Sequence, residues 1–150
     1  MGTVSVQRED FDLGTEVTAL KDGRCDIGAI VTFTGTVRDL DGGLRSMTLE
    51  HYPGMTEKEL EDIAAEAEKR WPLQACRIIH RYGELAPGDN IVLVITMSAH
   101  RHAAFDAASF LMDFLKSRAP FWKKEDKGGN AIWVDARESD AEALKRWDSN

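Results

Sequence analysis

The sequence predicts an α+β fold, in which strands and helices alternate without a regular strand–helix–strand repeat. Two kinds of segment support this class. Residues 29–37 are rich in β-branched side chains, and residues 90–97 are apolar on both faces, as is typical of strands. Residues 56–71 and 101–118 instead carry apolar side chains at helical spacing. The sequence therefore mixes the two kinds of element along one chain.

The first half of the chain predicts a hairpin followed by a helix. The strand at 29–37 leads into a turn-rich loop, residues 39–46, with Asp-Gly-Gly at its tip, and then into a second strand at 47–52. The first helix is predicted to begin with a capping box formed by Thr56 and Glu59, and Pro72 ends it.

The second half predicts three more strands and two more helices. A strand at 77–82 is separated by the turn Pro87-Gly88-Asp89 from the apolar strand. A long helix is predicted at 101–118, and Pro120 prevents it from continuing. A last strand is predicted at 131–136, and Ser139 begins a short terminal helix.

Length and composition are those of an ordinary globular protein. The chain has 150 residues with 43% apolar residues, so we expect one domain over 1–150, with 1–28 the part that pattern constrains least. The formal net charge of −7 argues against general nucleic-acid binding. Cys25 and Cys76 lie far apart without a second pair, which favours two reduced thiols.

The chain shows no pattern that would direct it to a membrane. The longest strongly apolar run, residues 91–95, is far too short to cross a bilayer. The N-terminal residues lack the basic start and apolar core of a secretory signal. We therefore expect a cytoplasmic protein.

Basic side chains concentrate in residues 98–127. This segment holds six Lys or Arg against four Asp or Glu, although the whole chain is acidic. Clustered positive charge costs self-repulsion that a bound anion relieves. The segment therefore predicts an anionic ligand.

Two lysines of this segment are candidate catalytic groups. Lys116 falls near the end of the predicted helix and Lys123 lies beyond Pro120, on either side of the apolar sequence APFW. A lysine at a helix C-terminus is also stabilised by the helix dipole, without any functional role. Partial desolvation and mutual repulsion, however, favour a neutral amine that can act as a general acid or base. Both interpretations remain open from spacing alone.

The start of the same helix is a candidate anion site. Backbone amides there, together with His100 and Arg101, suit a phosphate or a carboxylate, although His100 as a simple cap and a solvated Arg101 are equally compatible. His102 and Asp106 lie one helical turn apart and could share a metal with His100. No further ligand motif supports this, so we expect no metal and no cofactor.

The remaining candidates are isolated. Arg38 ends the first strand and could point its guanidinium into the same cleft, but arginine is common at strand ends. Arg137, beside Glu138, is similarly ambiguous. His51 and His80 stand alone on strands and are expected to be structural.

Several long and unusual sequence blocks resemble the large, catalytic subunit of molybdopterin synthase, in the same order from about residue 29 to 147. These blocks are TFTGTVR at 32–38, LEHYPGMTEKEL at 49–60, WPL at 71–73, HRYGELAPGD at 80–89, SAHR at 98–101, LKSRAPFWKKE at 115–125 and ARESD at 136–140.

The resemblance implies a fold and an activity. The fold would be a single domain of the α/β-hammerhead type. The activity would be a sulfur transfer of molybdenum cofactor biosynthesis, in which cyclic pyranopterin monophosphate receives two sulfurs as the dithiolene of molybdopterin. The donor would be the C-terminal Gly-Gly thiocarboxylate of a small ubiquitin-like subunit. Two large subunits would form a central homodimer with one small subunit at each end, a heterotetramer.

The resemblance also implies roles for individual residues. Lys116 in LKSRAPFW and Lys123 in FWKKE match the paired catalytic lysines, and which of them gives a proton is left open. The substrate-binding residues that it implies are Arg38, His100, Arg101 and Arg137. Two other functions stay open beside this one: a non-catalytic docking module for a ubiquitin-like partner, and a phosphate-binding enzyme of unrelated chemistry.

Overall fold

The fold was examined in a computed structural model that describes residues 3–128, 131–134, 143 and 145–148. The elements are β1 (Val4–Gln7), α1 (Leu13–Lys21), β2 (Ala29–Thr36), β3 (Ser46–His51), α2 (Met55–Arg70), β4 (Leu73–Arg81), β5 (Gly83–Leu85), β6 (Asn90–Ser98), α3 (Arg101–Ser117), β7 (Phe121–Asp126) and β8 (Ala131–Val134).

The strands form two four-stranded sheets. The first sheet has the order β1-β4-β6-β2, in which only the β1–β4 pair is parallel. The second has the order β5-β3-β7-β8 and is antiparallel throughout. Helices combined with mixed and antiparallel sheets confirm the predicted α+β class.

The first sheet carries helices on both faces. Because side chains alternate along a strand, Ile78, Val92 and Val94 pack against α2 and α3, whereas Ile79 and Leu93 pack on the other side, with residues of α1. This two-sided burial explains why β6 is apolar on both faces, as the sequence predicted. The second sheet buries a smaller apolar cluster, made of Val37, Leu44, Met47, Leu49 and Leu85.

The start of α2 differs from the prediction. The N-cap is Gly54, with φ 84°, and its backbone N–H donates to Oε1 of Glu57 at 3.0 Å. Thr56, predicted as the cap, is instead fully buried inside the helix, where its hydroxyl accepts from the backbone N–H of Tyr52 at 3.1 Å. The predicted capping box of Thr56 and Glu59 is therefore wrong, because glycine reaches the required backbone conformation without a side-chain cap.

Several elements were not predicted. The strands β1, β5 and β7 and the helix α1 received no assignment from the sequence, and residues 119–122 were interpreted as an apolar wedge. The charged sequence of β7, FWKKED, lacks an apolar alternation and forms a strand because it pairs with β3. The predicted helix beginning at Ser139 falls largely outside the described residues. Within the described part of the chain, no helix is long and apolar enough to cross a membrane.

Candidate functional site

Lys116 and Lys123 lie on consecutive elements joined by a short turn. Lys116 is exposed in the last turn of α3, and β7 begins at Phe121. The turn is closed by a hydrogen bond from the backbone N–H of Phe121 to the carbonyl of Ala119 at 2.8 Å. Lys116 and Lys123 therefore lie on the two elements that meet at this turn.

Lys123 lies on the inner face of the second sheet. Phe121 and Lys123 share one face of β7, because side chains two residues apart point the same way. Their partners across the β3–β7 pair are His51 and Leu49, and directly opposed residues share a face. Leu49 is buried and Lys123 is half-buried, so the Lys123 side chain is only partly shielded from solvent on this face.

A buried histidine connects this region to the first sheet. His80, near the end of β4, stacks on Phe121 with 3.7 Å between ring centroids and 17° between planes. Its Nδ1 donates to the carbonyl of Arg81 at 2.9 Å, since a carbonyl can only accept. The imidazole ring thus lies between the two sheets, next to the first residue of β7.

His80 is uncharged at neutral pH. Burial lowers the pKa of His80 from its usual 6.5 to about 4. The hydrogen bond to Arg81 opposes this shift, and the electrostatic effects of Lys116 and His51 add to it. Lys116 therefore acts electrostatically on the His80 ring, although the two residues are distant in sequence.

His51 is half-buried and also lies near Phe121. Its ring lies 4.4 Å from that of Tyr82 and 6.2 Å from that of Phe121. Nδ1 of His51 has no hydrogen-bond partner among the described residues, and Oε1 of Glu57 lies 3.9 Å from it. The two histidines that sequence reasoning treated as isolated are therefore neighbours of the candidate catalytic turn.

Arg38 lies at the lysine end of the first sheet. It follows β2 directly and is exposed. Val37 fixes its position, because the Val37 N–H donates to the Asp89 carbonyl at 2.8 Å and the Val37 carbonyl accepts from the Gly88 N–H at 2.7 Å. Gly88 and Asp89 directly precede β6. His80 lies at the same end of the sheet, because it pairs with Val92 near the start of β6. Arg38, Lys116 and Lys123 are thus all near one end of the first sheet.

His100 and Arg101 lie at the opposite end. Ala29 pairs with Ser98 at one end of the β2–β6 ladder and Thr36 pairs with Asn90 at the other. At about 3.3 Å per residue, the nine residues of β6 separate these ends by roughly 26 Å. The helix α3 runs back along this length, and its rise places Arg101 roughly 22 Å from Lys116. One chain therefore does not bring the two predicted parts of the site together.

The side chains at the start of α3 are available for a ligand. His100 occupies the N-cap position, but its side chain makes no capping hydrogen bond. His100, Arg101 and His102 are all exposed. Arg137 lies outside the described residues. Within the described residues, no three His, Cys, Asp or Glu side chains are grouped as a metal site.

The comparisons with known proteins identify the family. A profile described as MoaE protein matches residues 6–118. The molybdopterin synthase catalytic subunit of Mesorhizobium japonicum is 58% identical over 150 residues, covering 99% of this chain and 94% of that protein. The solved molybdopterin biosynthesis MoaE protein from Burkholderia ambifaria superimposes with a TM-score of 0.85 and 53% identity, covering 99% of both chains.

A solved structure of lower sequence identity has a similar fold. A chain of the complex between subunits 1 and 2 of molybdopterin-converting factor from Helicobacter pylori gives a TM-score of 0.77, covering 91% of this chain and 92% of that chain. At 20% identity this likeness concerns the fold alone. The match over more than two thirds of the sequence, with relatives above half identity over nearly the full length, confirms the resemblance: the chain belongs to the MoaE protein family.

Proposed function

We propose that this protein is the catalytic subunit of a molybdopterin synthase. It transfers sulfur from the C-terminal thiocarboxylate of a small ubiquitin-like subunit to cyclic pyranopterin monophosphate, and two transfers make the dithiolene of molybdopterin. The observation that carries the proposal is the buried stack of His80 and Phe121 at the turn between α3, which carries Lys116, and β7, which carries Lys123. Family membership supports the same activity.

The lysines suit the chemistry of the donor tail. The thiocarboxylate sulfur attacks a carbon of the pterin side chain, a C–S bond forms, and the C–O bond to the oxygen that sulfur replaces breaks, with that oxygen leaving as water or as phosphate. The partner's terminal carbonyl is then joined to the pterin through this sulfur as a thioester. Water then attacks this carbonyl, the bond from carbonyl carbon to sulfur breaks, and the products are the pterin thiol and the partner's carboxylate. Lys116 and Lys123 stabilise the developing negative charge on the carbonyl oxygen and transfer protons to and from water and sulfur.

The phosphate of the substrate requires more cationic side chains than the single arginine that one chain places near this turn. Arg38 is supplied by the same chain, at the lysine end of the first sheet. We infer that His100 and Arg101 come from a second copy, since they lie roughly 22 Å from Lys116 along α3. The substrate would then be bound between two copies, with Arg137 as a further contributor.

Exposed apolar side chains mark a surface for the second copy. β2 is an edge strand of the first sheet, and it exposes Ile30 and Phe33. Phe105, one turn beyond Arg101 on α3, is 61% exposed. An unpaired strand edge with exposed apolar residues is a frequent site of chain association. Its position beside Arg101 fits a homodimer in which each copy completes the other's site.

Reconstitution tests the proposed activity. The chain is combined with a thiocarboxylated small subunit and cyclic pyranopterin monophosphate, and dithiolene product is measured. Lys116→Ala should abolish turnover and leave binding of the small subunit intact. Lys58→Ala is the matched control, because Lys58 is an exposed helical lysine paired with Asp62. A well-folded complex without dithiolene product would contradict the proposal.

The alternative is a docking module without catalysis. Three exposed apolar side chains favour it, since Tyr52 and Trp122 pack edge to face at 4.3 Å and Met55 is 56% exposed nearby at the start of α2. Docking alone requires neither lysine. Measured turnover that depends on Lys116 would exclude this alternative.

A further inference from the structure

The stack of His80 and Phe121 is the contact that joins the two sheets at the candidate site. His80 belongs to β4 of the first sheet and Phe121 begins β7 of the second. Their rings are nearly parallel, 17° apart, at a centroid separation of 3.7 Å. Both side chains are largely shielded from water, because His80 is 8% exposed and Phe121 is half-buried. A flat contact of this kind limits both the distance and the tilt between its partners.

Phe121, one partner of this contact, lies between the two lysines along the chain. Four residues separate Lys116 from Phe121, the last three of which form the turn, and Lys123 follows Phe121 on the same face of β7. A displacement of Phe121 therefore moves Lys123 directly and Lys116 through the turn. The ring of His80 holds Phe121 from β4, a strand that is paired on both sides in the first sheet.

The chemistry of the ring suits a supporting role. Nδ1 is committed to the Arg81 carbonyl, so the ring orientation is fixed. The titratable groups whose charges act on His80 from neighbouring elements are Lys116 on α3 and His51 on β3. A neutral imidazole packs on Phe121 without adding another positive charge near the site.

We propose that His80 is a positioning residue for sulfur transfer: through its stack on Phe121 it sets the separation of Lys116 and Lys123. This inference rests on the proposed function and extends it to a residue outside the basic cluster. His80 touches neither the donor tail nor the substrate in this role. It acts through Phe121, so its loss should affect the chemical step more than binding.

Two substitutions at His80 test this. In His80→Ala the stack is lost, and kcat at saturating small subunit and substrate should fall by about tenfold or more, as expected for misplaced catalytic groups. The Kd for the small subunit should stay at the wild-type value. In His80→Phe an aromatic ring again faces Phe121, and most of the wild-type kcat should return. If His80 served stability alone, kcat per folded molecule would be the same in His80→Ala, in His80→Phe and in the wild type.

Ile79→Ala is the matched control. Ile79 is adjacent, 1% exposed, and packs on the opposite face of the sheet, so this variant loses stability without losing the stack. Its kcat should equal that of the wild type. If His80→Ala does not fold, Phe121→Leu removes the stack from the other side and should show the same loss of kcat.

The possible results distinguish the positioning role of His80 from the proposed function. Wild-type kcat in folded His80→Ala, or in Phe121→Leu, would overturn the positioning role. A His80→Phe variant as slow as His80→Ala would also overturn it, because stacking would then not be the property that matters. An inactive wild-type complex in the same assay would count against the proposed function itself.

Discussion

The backbone at Gly28 passes so close to Ala99 that a Cβ at residue 28 would lie 2.1 Å from the Ala99 carbonyl oxygen. The Gly28 N–H also donates to the Ser98 carbonyl at 3.0 Å. This contact holds the chain just before His100 and Arg101, where β6 ends. Any side chain at residue 28 must push the segment 98–101 away from the start of β2.

Gly28→Ala should therefore impair substrate binding as well as stability. We expect the free energy of unfolding to fall by about 1–3 kcal/mol, as for other overpacked sites. The KM for cyclic pyranopterin monophosphate should rise, because His100 and Arg101 are displaced. Calorimetry and steady-state kinetics measure the two effects. Gly43→Ala is the control, since a Cβ there meets nothing within 4 Å; equal behaviour of the two variants would refute this role of Gly28.

Protonation of His80 should make the protein sensitive to mild acid. The pKa of His80 is about 4 in the folded chain and 6.5 in the unfolded chain. Between these values the unfolded chain binds the proton and the folded chain does not, so stability falls as pH falls. From pH 7 to pH 5 this group removes about 2 kcal/mol of unfolding free energy.

Comparison with His80→Phe isolates this contribution. Phenylalanine does not titrate, so the variant should lose less stability than the wild type over the same pH interval. Urea unfolding at pH 7 and pH 5 gives the two differences. Identical pH dependence in both proteins would show that His80 does not titrate as described.

The two cysteines should differ in reactivity. Cys25 is exposed, whereas Cys76 is buried and desolvation raises the pKa of its thiol to about 12. Since the thiolate is the reactive form, a chromogenic disulfide should label Cys25 quickly and Cys76 only after unfolding. Cys25→Ser removes the fast phase and serves as the control. Rapid labelling of Cys76 in the folded protein would contradict the packing of β4.

A site shared between two copies predicts complementation between inactive variants. Lys116→Ala and Arg101→Ala are each expected to be inactive alone. In a mixed dimer one site would contain both substitutions and the other site would contain neither. Random assembly should therefore restore about a quarter of the wild-type activity.

Co-expression or co-refolding, followed by turnover measurement, tests this mixture. Mixing Lys116→Ala with Lys123→Ala is the matched control, because both lysines belong to the same half of each site and no intact site can form. Recovery in the control, or its absence in the test mixture, would contradict a shared site.

Much of the fold follows from local pattern. The strands at 29–37 and 90–97 were predicted because burial imposes their apolar and β-branched composition. β7 was not predicted, because its charged residues gain their strand conformation from pairing with β3 and not from their own preference. The cap at Gly54 was missed because glycine caps through backbone conformation, which the search for a hydroxyl side chain overlooks.

The candidate site was predictable in part. Lys116 and Lys123 were predicted as candidates because they flank a short apolar segment, and their role stays a prediction. The distance from Lys116 to Arg101 was already implied by the predicted helix, since both residues lie on it about four turns apart. The neighbourhood of His80 could not be derived, because its stack on Phe121 depends on how the two sheets are placed.

The length of α3 limits how the sequence can change over evolutionary time. The helix begins with Arg101 and carries Lys116 in its last turn. One inserted residue would advance every later side chain by about 1.5 Å and rotate it by about 100°. Such a change would point Lys116 in another direction and disrupt the apolar contacts between α3 and the first sheet. We therefore expect drift in this family to proceed through substitutions within α3, and changes in length to accumulate in loops such as residues 39–45.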